Sequence, residues 1–262
     1  MRHLRTTIAL SGVAAFFVAC APMETHEERV EDTETEEVVL ASSMPDRGPV
    51  AIELFTSQGC SSCPPADALV AELVDNPDLV ILTRPVTYWD RLGWRDTLAR
   101  EENTSLQRAY ATRLERGGGR SYTPQAVVDG RIGLVGSRRG ELADAIAELR
   151  GNAQPATIDV IGDAASGYTI TVAGAGAEGA IVRLLALDES ETVSIGRGEN
   201  GGRSVRYTNI VLAEADLGLA SDEARTVTID SGNPLLSQGD RHAIVVRDGI
   251  AGPILAANYL GG

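Results

Sequence analysis

The stretch "FTSQGCSSCPPAD", residues 55–67, does most to limit what this chain can build. It joins an apolar β-rich run, "VAIELFTS" (50–57), to a run with helical spacing, in which Ala66, Leu69, Val70 and Leu73 share one face. Proline locks φ and lacks an N–H, so it suits the first positions of a helix and not the interior. Pro64 and Pro65 therefore mark a helix start. Cys63 falls near the N-cap, and Cys60 lies in the turn ahead of it. A structural disulfide stabilises mainly by closing a long loop. A pair two residues apart constrains almost nothing, so these cysteines point to chemistry, with two inert buried thiols as the alternative.

The remaining cysteine, Cys20, closes an apolar stretch, "IALSGVAAFFVA", that follows Arg2 and Arg5. A positive start, a short apolar run and small Ala19 read as a secretory signal over residues 1–20. Its "FVAC" end resembles a bacterial lipoprotein box, which implies lipidation at Cys20; cleavage around "ACA" is the alternative. Ala21 after the cysteine suggests the outer membrane. From Glu24 to Glu37 eight acids face Arg29 alone, so residues 21–48 read as a disordered acidic tether. The expected location is periplasmic, anchored by lipid only. There disulfides persist, and the expected partners are envelope proteins with thiols or disulfides and a redox partner protein. The net charge of −14 excludes nucleic acid as a natural partner. All basic residues are arginine.

Residues 49–152 read as strand, helix, strand ("LVILTRPV"), helix ("REENTSLQRAYATRLE"), hairpin and helix ("RRGELADAIAELRG"). The hairpin is signalled by Asp129-Gly130 within "TPQAVVDGRIGLVG". After "NAQP" the texture becomes short alternating runs between Gly, Asp and Asn turns, from "ATIDVIG" to "HAIVVRDG". Residues 153–262 accordingly predict a second, all-β domain, an antiparallel sandwich.

A strand feeding a CxxC at a helix start, with Thr123-Pro124 before a hairpin strand, resembles thioredoxin. The resemblance implies a thioredoxin-like α/β N-terminal domain. It further implies that Cys60 is the exposed nucleophile, Cys63 the resolving thiol, and Thr123-Pro124 a cis element beside Cys60 on which a substrate peptide could pair. Glu53 would be a buried acid that passes protons to and from Cys63. The residues themselves leave open whether Glu53 points inward and whether the proline bond is cis. The strings "ELFTSQGCSSCPPAD", "YWDRLGW", "YTPQAVVDGR" and "RGENGGRSVRYTNIV" resemble an exported bacterial family, domain of unknown function 1223, from about residue 49 onward. In that family the aromatic stretch usually begins His-Val-Asp-Tyr-Trp; Pro85 and Thr87 stand here in place of the His and Asp.

Trp89 and Trp94 fall together in "YWDRLGW" and form either a lip over the CxxC or plain loop packing. The stretch "GRGENGGRSVRYTN" (196–209) is either a polar binding loop or a tight hairpin, the hairpin being favoured. The reading that results is a thiol–disulfide oxidoreductase without a cofactor. Rivals are Cu(I) handling by the cysteine pair, for which the one histidine beyond the leader and tether is His242, and a binding module with a relic CxxC.

Overall fold

The computed structural model describes residues 47–174 and 179–261. The signal segment, Cys20 and the acidic tether as far as residue 46 lie outside them. Strand β1 (Val50–Thr56) is followed by α1 (Pro64–Leu73), β2 (Leu79–Pro85), a 3-10 turn (Asp90–Leu92), α2 (Glu101–Arg113), β3 (Gln125–Val128), β4 (Ile132–Val135) and α3 (Arg139–Arg150). Seven strands complete the chain: β5 (Thr157–Asp163), β6 (Gly167–Ala173), β7 (Ala180–Ser194), β8 (Ser204–Leu219), β9 (Arg225–Ile229), β10 (Arg241–Asp248) and β11 (Ile254–Tyr259).

These strands do not divide into two domains' worth of sheet. Eight of them form one mixed sheet in the order β11-β10-β7-β8-β2-β1-β3-β4, and β5-β6-β9 form a second, smaller one. β8 joins β2 in parallel through Thr83 and Ile210, so strands from both halves share a sheet. The expected thioredoxin-like α/β domain followed by a separate all-β sandwich is therefore not what the chain builds. Strand periodicity reports which residues are buried and not which strand they pair with; both arrangements satisfy the same alternation. Within the expected short runs, "AIVRLLALD" and "TVSIG" join as the single strand β7, and β11 lies beyond "HAIVVRDG", the last of those runs.

β1 is buried along its whole length, as a central strand between β2 and β3 must be. Its even-numbered residues Val50, Ile52 and Leu54 pack under α1 and α3 through Ala66, Leu69 and Leu142. The odd-numbered face is the inside of a curl. Ala51, Val80 and Leu82 meet Leu185, Val245 and Ala257 there. Ile254 N–H donates to Asp129 O at 2.8 Å, bringing β11 back against β1. Tyr259 OH accepts from Ile81 N–H at 2.8 Å and so touches β2. The three-stranded sheet packs on the outside, where Ile170 and Val172 meet Val182, Leu184 and Ile244. The β3–β4 hairpin turns as expected on Asp129 and Gly130, both at positive φ (45° and 63°).

Candidate functional site

Cys60 and Cys63 form a disulfide across the turn between β1 and α1, with Cα atoms 5.4 Å apart. Cys63 is the N-cap of α1, and Pro64 and Pro65 occupy its first two positions. Both cysteines are wholly buried, whereas Ser61 and Ser62 between them are exposed. The expectation of an exposed Cys60 is thus corrected.

The cover is the tip of the β7–β8 hairpin, residues 195–203. Asn200, almost fully buried, donates from Nδ2 to Gln58 O at 2.9 Å and to Cys60 O at 2.8 Å. Its Oδ1 accepts from Arg203 at 3.1 Å. Glu199 accepts the Ser61 N–H at 3.2 Å. Trp94 braces the arrangement by donating from Nε1 to Gln58 Oε1 at 2.8 Å. Gly198 sits against it at φ +80°, where a Cβ would come within 3.3 Å of Trp94 Cβ. The stretch favoured above as a plain hairpin is a hairpin, and its tip is part of the site.

The other rim carries the remaining expected residues. The Thr123-Pro124 bond is cis. Trp89 donates from Nε1 to Thr123 Oγ1 at 2.8 Å. Ser62 Oγ lies 3.4 Å from both Cys60 Sγ and Thr123 O. Trp89 also packs beside the turn: a Cβ on Gly59 would be 3.0 Å from Trp89 Cβ. Cys60, Cys63, Thr123, Pro124 and Trp89 therefore come together.

Glu53 does not join them. It is buried, but it lies on the inner face with Ala51 and Phe55, opposite the face that carries α1. There it accepts Arg84 Nε at 2.6 Å, Arg247 Nη2 at 2.7 Å and Tyr110 OH at 2.5 Å. Arg84 also reaches Asn103 at 3.1 Å and pairs with Glu214. Burial alone would raise the Glu53 pKa, yet Arg247 and Arg84 together hold it down to about 2. The expected role of passing protons to and from Cys63 is corrected: this carboxylate stays ionised and is no proton store.

The buried acid on the cysteine side is Asp67, one helical turn beyond Cys63. It is 1% exposed, and among the described residues neither carboxyl oxygen meets the geometry of a hydrogen bond. Burial, aided by the nearby charge of Asp96, pushes its pKa up to about 8, against a weaker opposing pull from Thr56. Asp96 differs in being partnered: it accepts Gln58 N–H at 2.8 Å and Leu98 N–H at 2.9 Å. The one sequence cue to Asp67 was an acid at the position of a helix repeat that also carries Ala66 and Val70 inward.

Among the described residues no group of three or more His, Cys, Asp or Glu side chains could hold a metal ion. His242 lines a cavity of about 590 Å³ with Val74, Asp75 and Asn76, beyond the C-terminal end of α1, while Cys63 caps its start. Among the same residues no helix is long and apolar enough to cross a membrane.

Residues 51–247, which include both the cysteine turn and the hairpin tip that covers it, match the family model described as "Protein of unknown function (DUF1223)". This chain belongs to the DUF1223 family. A crystal structure of an Agrobacterium tumefaciens protein is similar to this DUF1223 chain, with a TM-score of 0.69 and 26% identity, covering 83% of this chain and 96% of that one. HBP35 of Porphyromonas gingivalis shares the fold at a TM-score of 0.52 and 14% identity, covering 81% of this chain and 74% of its own. No curated protein matches this DUF1223 chain.

Proposed function

We propose that Cys60 and Cys63 are a redox pair that exchanges with thiols and disulfides of partner proteins. The observation that carries this reading is a disulfide closed over a separation of three residues, which restrains too little chain to be explained as a staple. In the reducing direction a partner thiolate attacks Cys60 Sγ and the Cys60–Cys63 bond breaks. Cys63 leaves with the electron pair and takes up a proton. A second partner thiol then resolves the mixed disulfide, so the partner dithiol is oxidised as this pair is reduced. The opposite direction runs through the same mixed disulfide. Because Cys60 lies beneath Asn200 and Glu199, exchange requires the hairpin tip to lift, and partners that displace it are favoured.

Export belongs to this reading, since an oxidising compartment is where such a disulfide persists between exchanges. If Cys20 anchors the chain, Cys20→Ser releases it from membranes in soluble form; unchanged partition removes the anchor.

Glutathione tests the chemistry. Equilibrating the folded protein with defined ratios of reduced and oxidised glutathione should convert the pair between disulfide and dithiol. In the Cys63→Ser variant, Cys60 thiolate attacks glutathione disulfide, one glutathione leaves as thiolate, and the other stays bound to Cys60, detectable by mass. A native disulfide that resists every ratio, with no adduct in the variant, overturns the reading.

A further inference from the structure

Reduction of the disulfide leaves a problem that the helix start does not solve. A cysteine at an N-cap is ordinarily helped by free N–H groups of the first turn. Here the first two positions are proline and have none. The next two N–H groups, of Ala66 and Asp67, are taken by Cys63 O at 2.8 and 3.2 Å. Ser61 N–H is taken by Glu199, which adds negative charge at the rim. Cys63 is itself wholly buried. A thiolate left there has little to stabilise it, and a thiol would be the better product.

We propose that Asp67 supplies the proton that Cys63 takes as the disulfide opens, and removes it when the disulfide re-forms. Residues four apart on a helix share a face, with Cβ atoms about 5–6 Å apart. Both Asp67 oxygens are buried and unpartnered, a costly state for a carboxylate and a tolerable one for a carboxylic acid. Among the described residues, the groups packed against it hold no compensating cation. Thr56 contributes a neutral hydroxyl from β1, whose pull toward the carboxylate is weaker than the opposing effect of burial. Tyr207 on β8 faces Asp67 and Asp96 with an unpartnered hydroxyl, and both burial and those acids push it up and keep it protonated. Arg206, beside it on β8, is exposed and bonds Ser190. Asp96 is the like charge, and its N–H partners make it the better anion of the two. Asp67 thus begins as an acid, becomes a carboxylate as Cys63 becomes a thiol, and regains its proton from water afterwards.

This inference rests on the exchange proposed above, and one experiment separates the two. The full chain and Asp67→Asn are reduced with dithiothreitol across about pH 6 to about pH 9, and rates are divided by the concentration of reductant thiolate. In wild type the corrected rate should be steady at low pH and fall at least about tenfold as Asp67 loses its proton. In Asp67→Asn it should be about tenfold lower near pH 7 and flat with pH. Should the variant not fold, wild type alone decides. The kinetic midpoint must then coincide with the midpoint at which the infrared band of a buried protonated carboxyl disappears from the oxidised protein. A corrected wild-type rate that stays flat, or a variant with the wild-type profile, overturns the role of Asp67 and leaves the exchange reading intact. A disulfide that dithiothreitol opens in neither protein overturns both.

Discussion

Glu53 and Asp67 are both acids with almost no exposed surface, and they lie on opposite sides of one sheet. Glu53 meets two arginines and a tyrosine in the curl, so burial is outweighed and it stays charged. Asp67 meets hydroxyls and another acid, so burial prevails and it keeps its proton. The difference teaches that burial by itself does not set what a carboxyl group can do. A fully paired ion inside a protein ties elements together, and breaking one partner is costly because the others are left unpaired. An orphaned acid is free to trade a proton. In this chain the paired acid joins β1 and β2 to β8 and β10, the two halves of the large sheet, while the orphan lies on α1, one turn beyond Cys63.

The largest effect expected from breaking this contrast is on stability. Glu53→Gln leaves Arg84 and Arg247 short of a counter-charge in the interior and should cost about 3–5 kcal/mol in urea unfolding. A loss under about 1 kcal/mol would mean that the network does not hold the halves together. Next is Asn200→Ala, which strips the Gln58 and Cys60 carbonyls of a buried donor and should cost about 1–3 kcal/mol. The same variant should speed reduction of the disulfide by dithiothreitol; an unchanged rate would show that the hairpin tip does not govern access.

The two acids should also act oppositely with pH. Glu53 has a depressed pKa, so its contribution is complete above the ordinary carboxylate range and is lost as pH falls toward about 2. Asp67 has a raised pKa. Its neutral form favours folding fully below the ordinary carboxylate range, and that advantage is lost as pH rises through about 8. Asp67→Asn should therefore be more stable than wild type at alkaline pH, by about 1–3 kcal/mol, with the gap closing toward acid. A gap that does not change with pH would move the titration to another group. The smallest effect is expected at the exposed rim, where Glu199→Gln should leave the melting temperature unchanged.

Much of the local structure was legible in the residues. The prolines at 64 and 65 placed the start of α1, Asp129-Gly130 placed the hairpin turn, and the runs for β1, β2, α2 and α3 stand within a few residues of their expected bounds. Steric rules of this kind act over a handful of positions, so the sequence by itself determined them, together with a cysteine pair at a strand-to-helix turn; that Thr123, Pro124 and Trp89 gather beside that pair is a tertiary fact. Only the tertiary structure decided that both halves share a sheet, that Asn200 covers Cys60, and that Glu53 finds Arg247, a partner 194 residues away. It also decided which of two acids would be charged. The reason is physical: a side chain's protonation and reach follow from what the fold packs against it, and neighbours so distant along the chain leave no periodicity or spacing to read.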